Sequence, residues 1–413
     1  MAVERPLEAQ TTALASEAAG AVLPDPGFDP GAVPFDHHDP TLDHRNVWDR
    51  YRELRERCPV ARGERYGGYW VLSRYEDVKA AAQDHETFSS AAGMFLPAYS
   101  EIRIPPIEYD PPEHTWMRRL ISPMTNAAVA RGLEPDIQAT IDALLGAIEP
   151  AEPVDLVERF ALPLPLHVMT SLWGLTGEQG EDARRYSMAF LRGGSPELQR
   201  GVDYWLEIVA ERKTDPRDDF VSRVLALNEG RMDDETIAIL MWSLTYAGHD
   251  STALSLGNVL AHLAEHPEDR AWLLEDRSRI PAAVNELLRF YTPLHQFRRT
   301  VARPTCVRGV GMQPGDPVLL VYASANRDEA VFADAERVHL DREENPHLAF
   351  GAGIHACPGR FLALTELRLA VETLLTRFPR YRLAGPVERT GLEGGGRHLG
   401  VRRLPVVLEP AGG

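Results

Sequence analysis

Apolar residues along this chain recur mostly at intervals of three and four, and only short stretches alternate, so the pattern predicts many helices and little sheet. The first helical run, NVWDRYRELRERCPV from Asn46, stops at a proline, and the GGYWVLS that follows has the aromatic and β-branched content of a strand. Helices are expected over roughly 113–148, 155–172, 178–192, 196–213, 217–228, 234–266, 268–276 and 280–290, with strand-like runs near 298–321 and 380–410. No internal period recurs, which excludes a repeat architecture. The expected fold class is mainly α with small β sheets.

Three segments depart from that background. Residues 1–44, with PDPGFDPGAVPFDHHDP, are expected to be extended or partly loose, leaving 45–413 to carry the fold. Phe88 to Pro112 reads as a long loop holding Met94, Phe95, Leu96, Tyr99 and several prolines, a composition suited to a lid or binding loop. The segment from Asp234 to His266 is apolar around most of its circumference, as in TIAILMWSLTYAG, so it should cross the core as a helix about 50 Å long. In its middle lies AGHDST, residues 247–252. Gly248 weakens a helix by about 1 kcal/mol relative to alanine, and Asp250 places a carboxylate among apolar neighbours. Both costs point to a function.

Composition narrows the classes. With 44% hydrophobic and 25% charged residues the chain is an ordinary globular protein, and its net charge of -17 argues against nucleic-acid or anionic-membrane partners. Glu4, Arg5, Glu8 and Glu17 interrupt the N-terminal region, which offers neither a signal-peptide core nor a membrane span. Cys58, Cys306 and Cys357 lie far apart with no C-x-x-C, so neither a zinc knot nor a disulfide framework is expected. A reducing cytoplasm is the expected setting.

Residues 350–359, FGAGIHACPG, fit two kinds of site. Gly351, Gly353 and Ala356 match the G-x-G-x-x-A of a dinucleotide turn, but only Leu348, Ala349 and Phe350 separate it from Pro346, and Pro358 blocks a helix opening inside the motif. The other reading is a thiolate seat. Gly351, Gly353 and Gly359 permit positive φ and close approach to a flat ligand, and the helix FLALTELRLAVETLL, beginning directly after, points its N-terminal dipole toward Cys357.

FGAGIHACPG resembles the haem-thiolate loop of the cytochrome P-450 superfamily, F-G-x-G-x-H-x-C-x-G, and DPPEHTWMRR, AGHDST, ELLR, ANRDEAVF and FADAER match further family motifs in order, from about Asn46 to Pro405. The resemblance implies a single-domain P-450 fold with a long central helix over haem b, and Cys357 as the iron ligand. Phe350 would pack on the haem; His114, Arg118, His355 and Arg299 would hold its propionates, with Arg298 leaving that last register open. His114 and Arg118, at i and i+4, share one helical face. Ala247 and Gly248 would form the helix kink that makes room for dioxygen. Asp250 and Ser251 would be the acid–alcohol pair delivering protons, with Thr252 able to share the role because serine stands where threonine is usual. His249 reads as a packed core histidine. Glu286, Arg289 and Arg337 would form a structural cluster behind the cysteine loop. Pro358, having no N–H, would leave the sulfur one hydrogen bond short and more electron-rich.

The activity implied is monooxygenation: one atom of O2 enters a hydrophobic small molecule by hydroxylation, epoxidation or O-dealkylation, and the other leaves as water. Electrons would come from NAD(P)H through a separate ferredoxin and ferredoxin reductase, docking near Arg118, Arg119, Arg360 and Arg368 on a monomer. The pocket would be lined by Phe95 and Leu96 of the 88–108 loop, by Trp242 and Tyr246, by Leu294 and Phe297, and by the tip GLEGGG at 391–396. Two other readings stay open: a P-450-fold enzyme of non-standard chemistry (peroxygenation, nitration, oxidative coupling), and a haem sensor without catalysis.

Overall fold

The computed structural model describes residues 27–98, 101–193, 195–392 and 397–410. Most of the N-terminal segment and the tip 393–396 thus lie outside the described residues, as does Tyr99. The helices fall where the periodicity puts them, with two expected helices divided: 155–172 becomes a π-helical turn, Val157–Ala161, followed by Pro163–Trp173. The span 113–148 breaks into Glu113–Ile121, Ala127–Gly132 and Glu134–Gly146. Pro123 ends the first piece in a single 3-10 turn, and the Asn126 side chain accepts from the N–H groups of Ala128 and Val129 to start the second. Tyr75–Gln83 is an additional helix that the sequence reading did not include.

Asp234–Glu265 runs unbroken through the core, capped by the Asp233 side chain on Thr236 N–H. Its N-terminal half packs with Pro163–Trp173, Ser195–Thr214 and Phe220–Leu227. Its C-terminal half packs with Glu134–Gly146, Ile280–Tyr291 and Arg360–Arg377. Burial on nearly all sides explains why almost no polar stripe interrupts the helix.

The sheets are small. In the five-stranded one the order is Val60–Gly63, Tyr69–Leu72, Pro317–Val321, Gln296–Val301, Phe88–Ser89, parallel only between Tyr69–Leu72 and Pro317–Val321. A three-stranded sheet joins Pro153–Asp155, Pro405–Glu409 and Arg380–Leu383. Among the described residues no helix is long and apolar enough to cross a membrane.

Behind the cysteine loop the sequence expectation needs correcting. Glu286, fully buried, accepts from Arg289 Nη2 and Nε at 2.7 and 2.8 Å and from Arg342 Nε at 3.0 Å. The third arginine of the cluster is therefore Arg342. Arg337 contributes its backbone carbonyl, which accepts from Arg289 Nη2 at 2.9 Å, while its side chain is exposed. Burial pushes the Glu286 carboxyl up, but the Arg289 bonds and charge, the His339 N–H and Arg342 outweigh it and hold the group below its ordinary value.

Candidate active site

Local chain geometry seats Cys357. Gly351 and Gly353 both have φ of +69°, and a Cβ on Gly353 would meet the Ala82 carbonyl oxygen at 2.2 Å, so the loop lies against Tyr75–Gln83 only because that side chain is missing. The Cys357 N–H donates to the Phe350 carbonyl at 2.8 Å, closing the loop on itself. Gly359 then caps Arg360–Arg377 with no side chain. Burial pushes the Cys357 thiol up; the Gly359 and Arg360 N–H groups and the guanidiniums of Arg118 and Arg360 pull the other way. The amides of Gly359 and Arg360, directly after Pro358, are thus the ones turned to the sulfur.

A patch of donors adjoins this loop. Arg118 Nη2 donates to the Ala356 carbonyl at 2.9 Å, and the His114 and His355 rings meet edge to face with centres 4.4 Å apart. Both ring nitrogens of His114 and Nε2 of His355 are buried without a hydrogen-bond partner. Burial, then Arg118, lowers His114 to about 4; burial, then Arg299, His114 and Arg118, lowers His355 to about 2. The Arg299 charge thus bears on His355, while its Nη1 donates to the Arg298 carbonyl at 2.8 Å. Its neighbour Arg298, on the opposite face of the strand, reaches the Phe95 carbonyl and Thr300 Oγ1 instead.

A cavity of about 780 Å³, counting its open mouth, connects this patch to the central helix. Pro358, His114, Arg118 and His355 line one part; Ser243, Tyr246, Ala247, Asp250 and Ser251 line another. Those five helix positions follow the i, i+3, i+4, i+7, i+8 pattern of one face. Thr252 is turned a further 100° and is buried outside the cavity, so it cannot share the hydroxyl role. Gly248 is also displaced from its expected role: a Cβ there would meet Met169 Cε at 2.7 Å, so the glycine serves close helix packing, while Ala247 faces the cavity. The Ser251 hydroxyl donates to the Ala247 carbonyl at 2.8 Å, and His249 Nε2 lies 3.2 Å from the Leu162 carbonyl, a packed histidine as expected.

Of the expected pocket residues, Trp242, Tyr246, Leu294 and Phe297 line the cavity. Leu96 does not: it packs with Val33, Phe35 and Tyr51 in another cluster, and its carbonyl faces His37 at 2.7 Å. Phe95 sits one layer back, under the guanidinium of Arg397 at 3.9 Å. Met94 and Ile104, from the loop expected to line the pocket, also face the space, whereas sequence reasoning missed Arg397 and His398. It also missed Glu108, whose carboxylate accepts from Met94 N–H and Ile104 N–H, both at 2.8 Å, and so folds the 88–112 loop over the cavity. A lone acid in a proline-rich loop gives no signal of such a task.

The donor set fits a haem. The buried, unpartnered imidazoles with Arg118 and Arg299 suit two carboxylates.

The pattern of the family described as Cytochrome P450 matches residues 158–381. The chain is 33% identical to cytochrome P450 107B1 of Saccharopolyspora erythraea, covering 87% of this chain and 94% of that one. The chain belongs to the cytochrome P450 family. It is 34% identical to the mycinamicin IV hydroxylase/epoxidase of Micromonospora griseorubida, over 92% of this chain and 99% of the relative. A solved P450 EryK mutant in complex with erythromycin B superposes with a TM-score of 0.82 at 31% identity, over 89% of this chain and 98% of that chain. This cytochrome P450 is accordingly a haem b monooxygenase that acts on small molecules and draws electrons from redox partner proteins.

Proposed function

We propose that this P450 hydroxylates or epoxidises a predominantly apolar small molecule bound between the 88–112 loop, the central helix and Phe297, with protons entering through Asp250 and Ser251. The observation that carries this reading is the single cavity in which the cysteine loop and that acid–alcohol pair face the same space. Met94, Ile104, Ile107, Trp242, Leu294 and Phe297 supply apolar walls, which favour an apolar small molecule, and relatives of this chain are named as a mycinamicin IV hydroxylase/epoxidase and an erythromycin C-12 hydroxylase.

In this reading Cys357 would ligate the haem iron, and His114, Arg118, His355 and Arg299 would hold the propionates. The chemistry a haem would supply there is the activation of dioxygen. Around it, the chain's own groups orient the substrate, exclude bulk water with the Glu108-folded loop, and move protons. Asp250 collects a proton at its carboxylate, and Ser251 passes it inward through a hydroxyl already directed by the Ala247 carbonyl. For each substrate, two electrons and two protons accompany one O2; one oxygen atom enters a C–H or C=C bond and the other leaves as water.

The electron donor is a ferredoxin served by a reductase, in a cytoplasm where Cys58 and Cys306 stay reduced thiols and Cys357, joined in no disulfide, is available to the iron. Arg119 and Arg360, exposed near the cysteine loop, are its docking cations. Arg368 is less suited, being tied to Glu134 at 2.7 Å and Glu372 at 3.1 Å, and Arg118 is turned into the cavity. Substrate-dependent NADH consumption with ferredoxin and reductase, together with a hydroxylated or epoxidised product, tests the proposal. NADH consumption that no bound ligand accelerates would oppose it and favour a sensor.

A further inference from the structure

Four side chains from two distant segments form one polar chain along the cavity wall. Arg397 Nη2 donates to the Tyr246 hydroxyl at 3.2 Å, that hydroxyl lies 3.3 Å from His398 Nε2, and His398 Nδ1 lies 3.0 Å from Asp250 Oδ2. All four residues line the cavity. Tyr246 and Asp250 stand one turn apart on the central helix. Arg397 and His398 come from the segment before Val401–Arg403, whose backbone is held by the Leu294–His398 bridge and by the His295 N–H donating to the Arg397 carbonyl at 2.7 Å.

The donor directions follow from the chemistry. A guanidinium only donates, so the Tyr246 oxygen accepts from Arg397 and its own proton turns to His398 Nε2. An accepting Nε2 leaves the ring proton on Nδ1, the nitrogen facing Asp250. Burial, then Arg397 and His295, lowers His398 well below its ordinary value, in keeping with a neutral ring. The His398–Asp250 approach is an electrostatic contact and not an aligned hydrogen bond. The donors of Arg397 and Tyr246 thus run toward His398, whose Nδ1–H lies on the Asp250 side.

We propose that His398 is a positioning residue for Asp250: from a strand-anchored loop it presents Nδ1–H to the carboxylate and keeps it at the cavity wall beside Ser251, ready to pass protons inward. This rests on the reading of Asp250 and Ser251 as the proton path. A merely structural histidine would stabilise the fold without affecting the fate of dioxygen.

The test uses the haem-loaded enzyme with a ferredoxin, its reductase and NADH, with dioxygen itself as the probe and no organic substrate. Hydrogen peroxide requires one NADH per O2 and water requires two, so the peroxide-to-water ratio reports proton delivery. Asp250→Asn and His398→Phe should each raise that ratio on the order of tenfold, and the double variant should exceed neither single one, because both act on one path. His398→Gln, which keeps an N–H, should recover part of the loss. The melting temperature and the reduced carbon monoxide spectrum should stay as in the parent; if His398→Phe takes up no haem, the same comparison decides on His398→Gln. An unchanged ratio in the His398 variants beside a raised one in Asp250→Asn overturns this inference alone, as do additive effects in the double variant. An unchanged ratio in Asp250→Asn removes the proton-path reading and the inference with it.

Discussion

The imidazoles of His114 and His355, from a helix and a loop far apart in sequence, meet edge to face with ring centres 4.4 Å apart and present three ring nitrogens that find no hydrogen-bond partner among the described residues. Isolated, this is an unfavourable arrangement, since buried polar atoms cost free energy when unpaired. Beside Arg118 and Arg299 it becomes a receptor for carboxylates. The fold thus carries a local cost that a carboxylate bound there, as in the proposed haem site, would relieve.

His114→Phe should keep the aromatic packing while deleting two of those nitrogens. The lost charge-assisted hydrogen bond corresponds to about 1.5–3 kcal/mol, or roughly ten- to hundredfold faster haem loss. Transfer of haem to an excess of a haem-scavenging apoprotein measures that rate without reference to turnover. A rate equal to the parent's would remove His114 from the propionate site.

Gly353→Ala should disrupt the cysteine loop. The substitution requires an alanine at φ +69° with its Cβ 2.2 Å from the Ala82 carbonyl oxygen, a backbone atom that cannot turn aside. We expect a loss of about 2 kcal/mol or more, read by thermal unfolding, and a fall in the fraction of protein that takes up haem.

The cluster behind that loop separates Arg342 from Arg337. Arg342→Ala removes a side chain bonded at 3.0 Å to a fully buried carboxylate and should destabilise the protein by about 3–5 kcal/mol. Arg337→Ala leaves its bonding carbonyl in place and should change stability by no more than about 0.5 kcal/mol. Urea unfolding of the two variants side by side checks both values.

Buried His249 predicts an acid limb in stability. In the unfolded chain its proton binds near 6.5, whereas burial, then Arg184, lowers the folded group to about 4. Between those pH values the unfolded state holds more protons, so the stability owed to the neutral ring is complete above 6.5 and is lost as pH falls toward 4, by at most about 1.4 kcal/mol per pH unit. His249→Phe should therefore show a smaller drop in urea midpoint between pH 7 and pH 5 than the parent protein does.

Much of this protein could be read from its sequence, and what could be read shares one property: it is local. The helical period placed Ile280–Tyr291 and Asp234–Glu265 nearly to the residue, and the same period put Asp250 and Ser251 on one face with Tyr246 and Ala247. The glycines and single cysteine of FGAGIHACPG defined a thiolate loop because positive φ and a following helix are properties of the chain itself. Tertiary structure alone decided which distant residues those elements meet. Met169 fills the space beside Gly248, Arg342 and not Arg337 reaches Glu286, Leu96 turns to a different core, and His398 arrives beside Asp250. Each of these is a choice among several chemically equivalent side chains, and it is set by the packing of helices and strands remote in sequence, whose approach leaves no trace in periodicity or spacing.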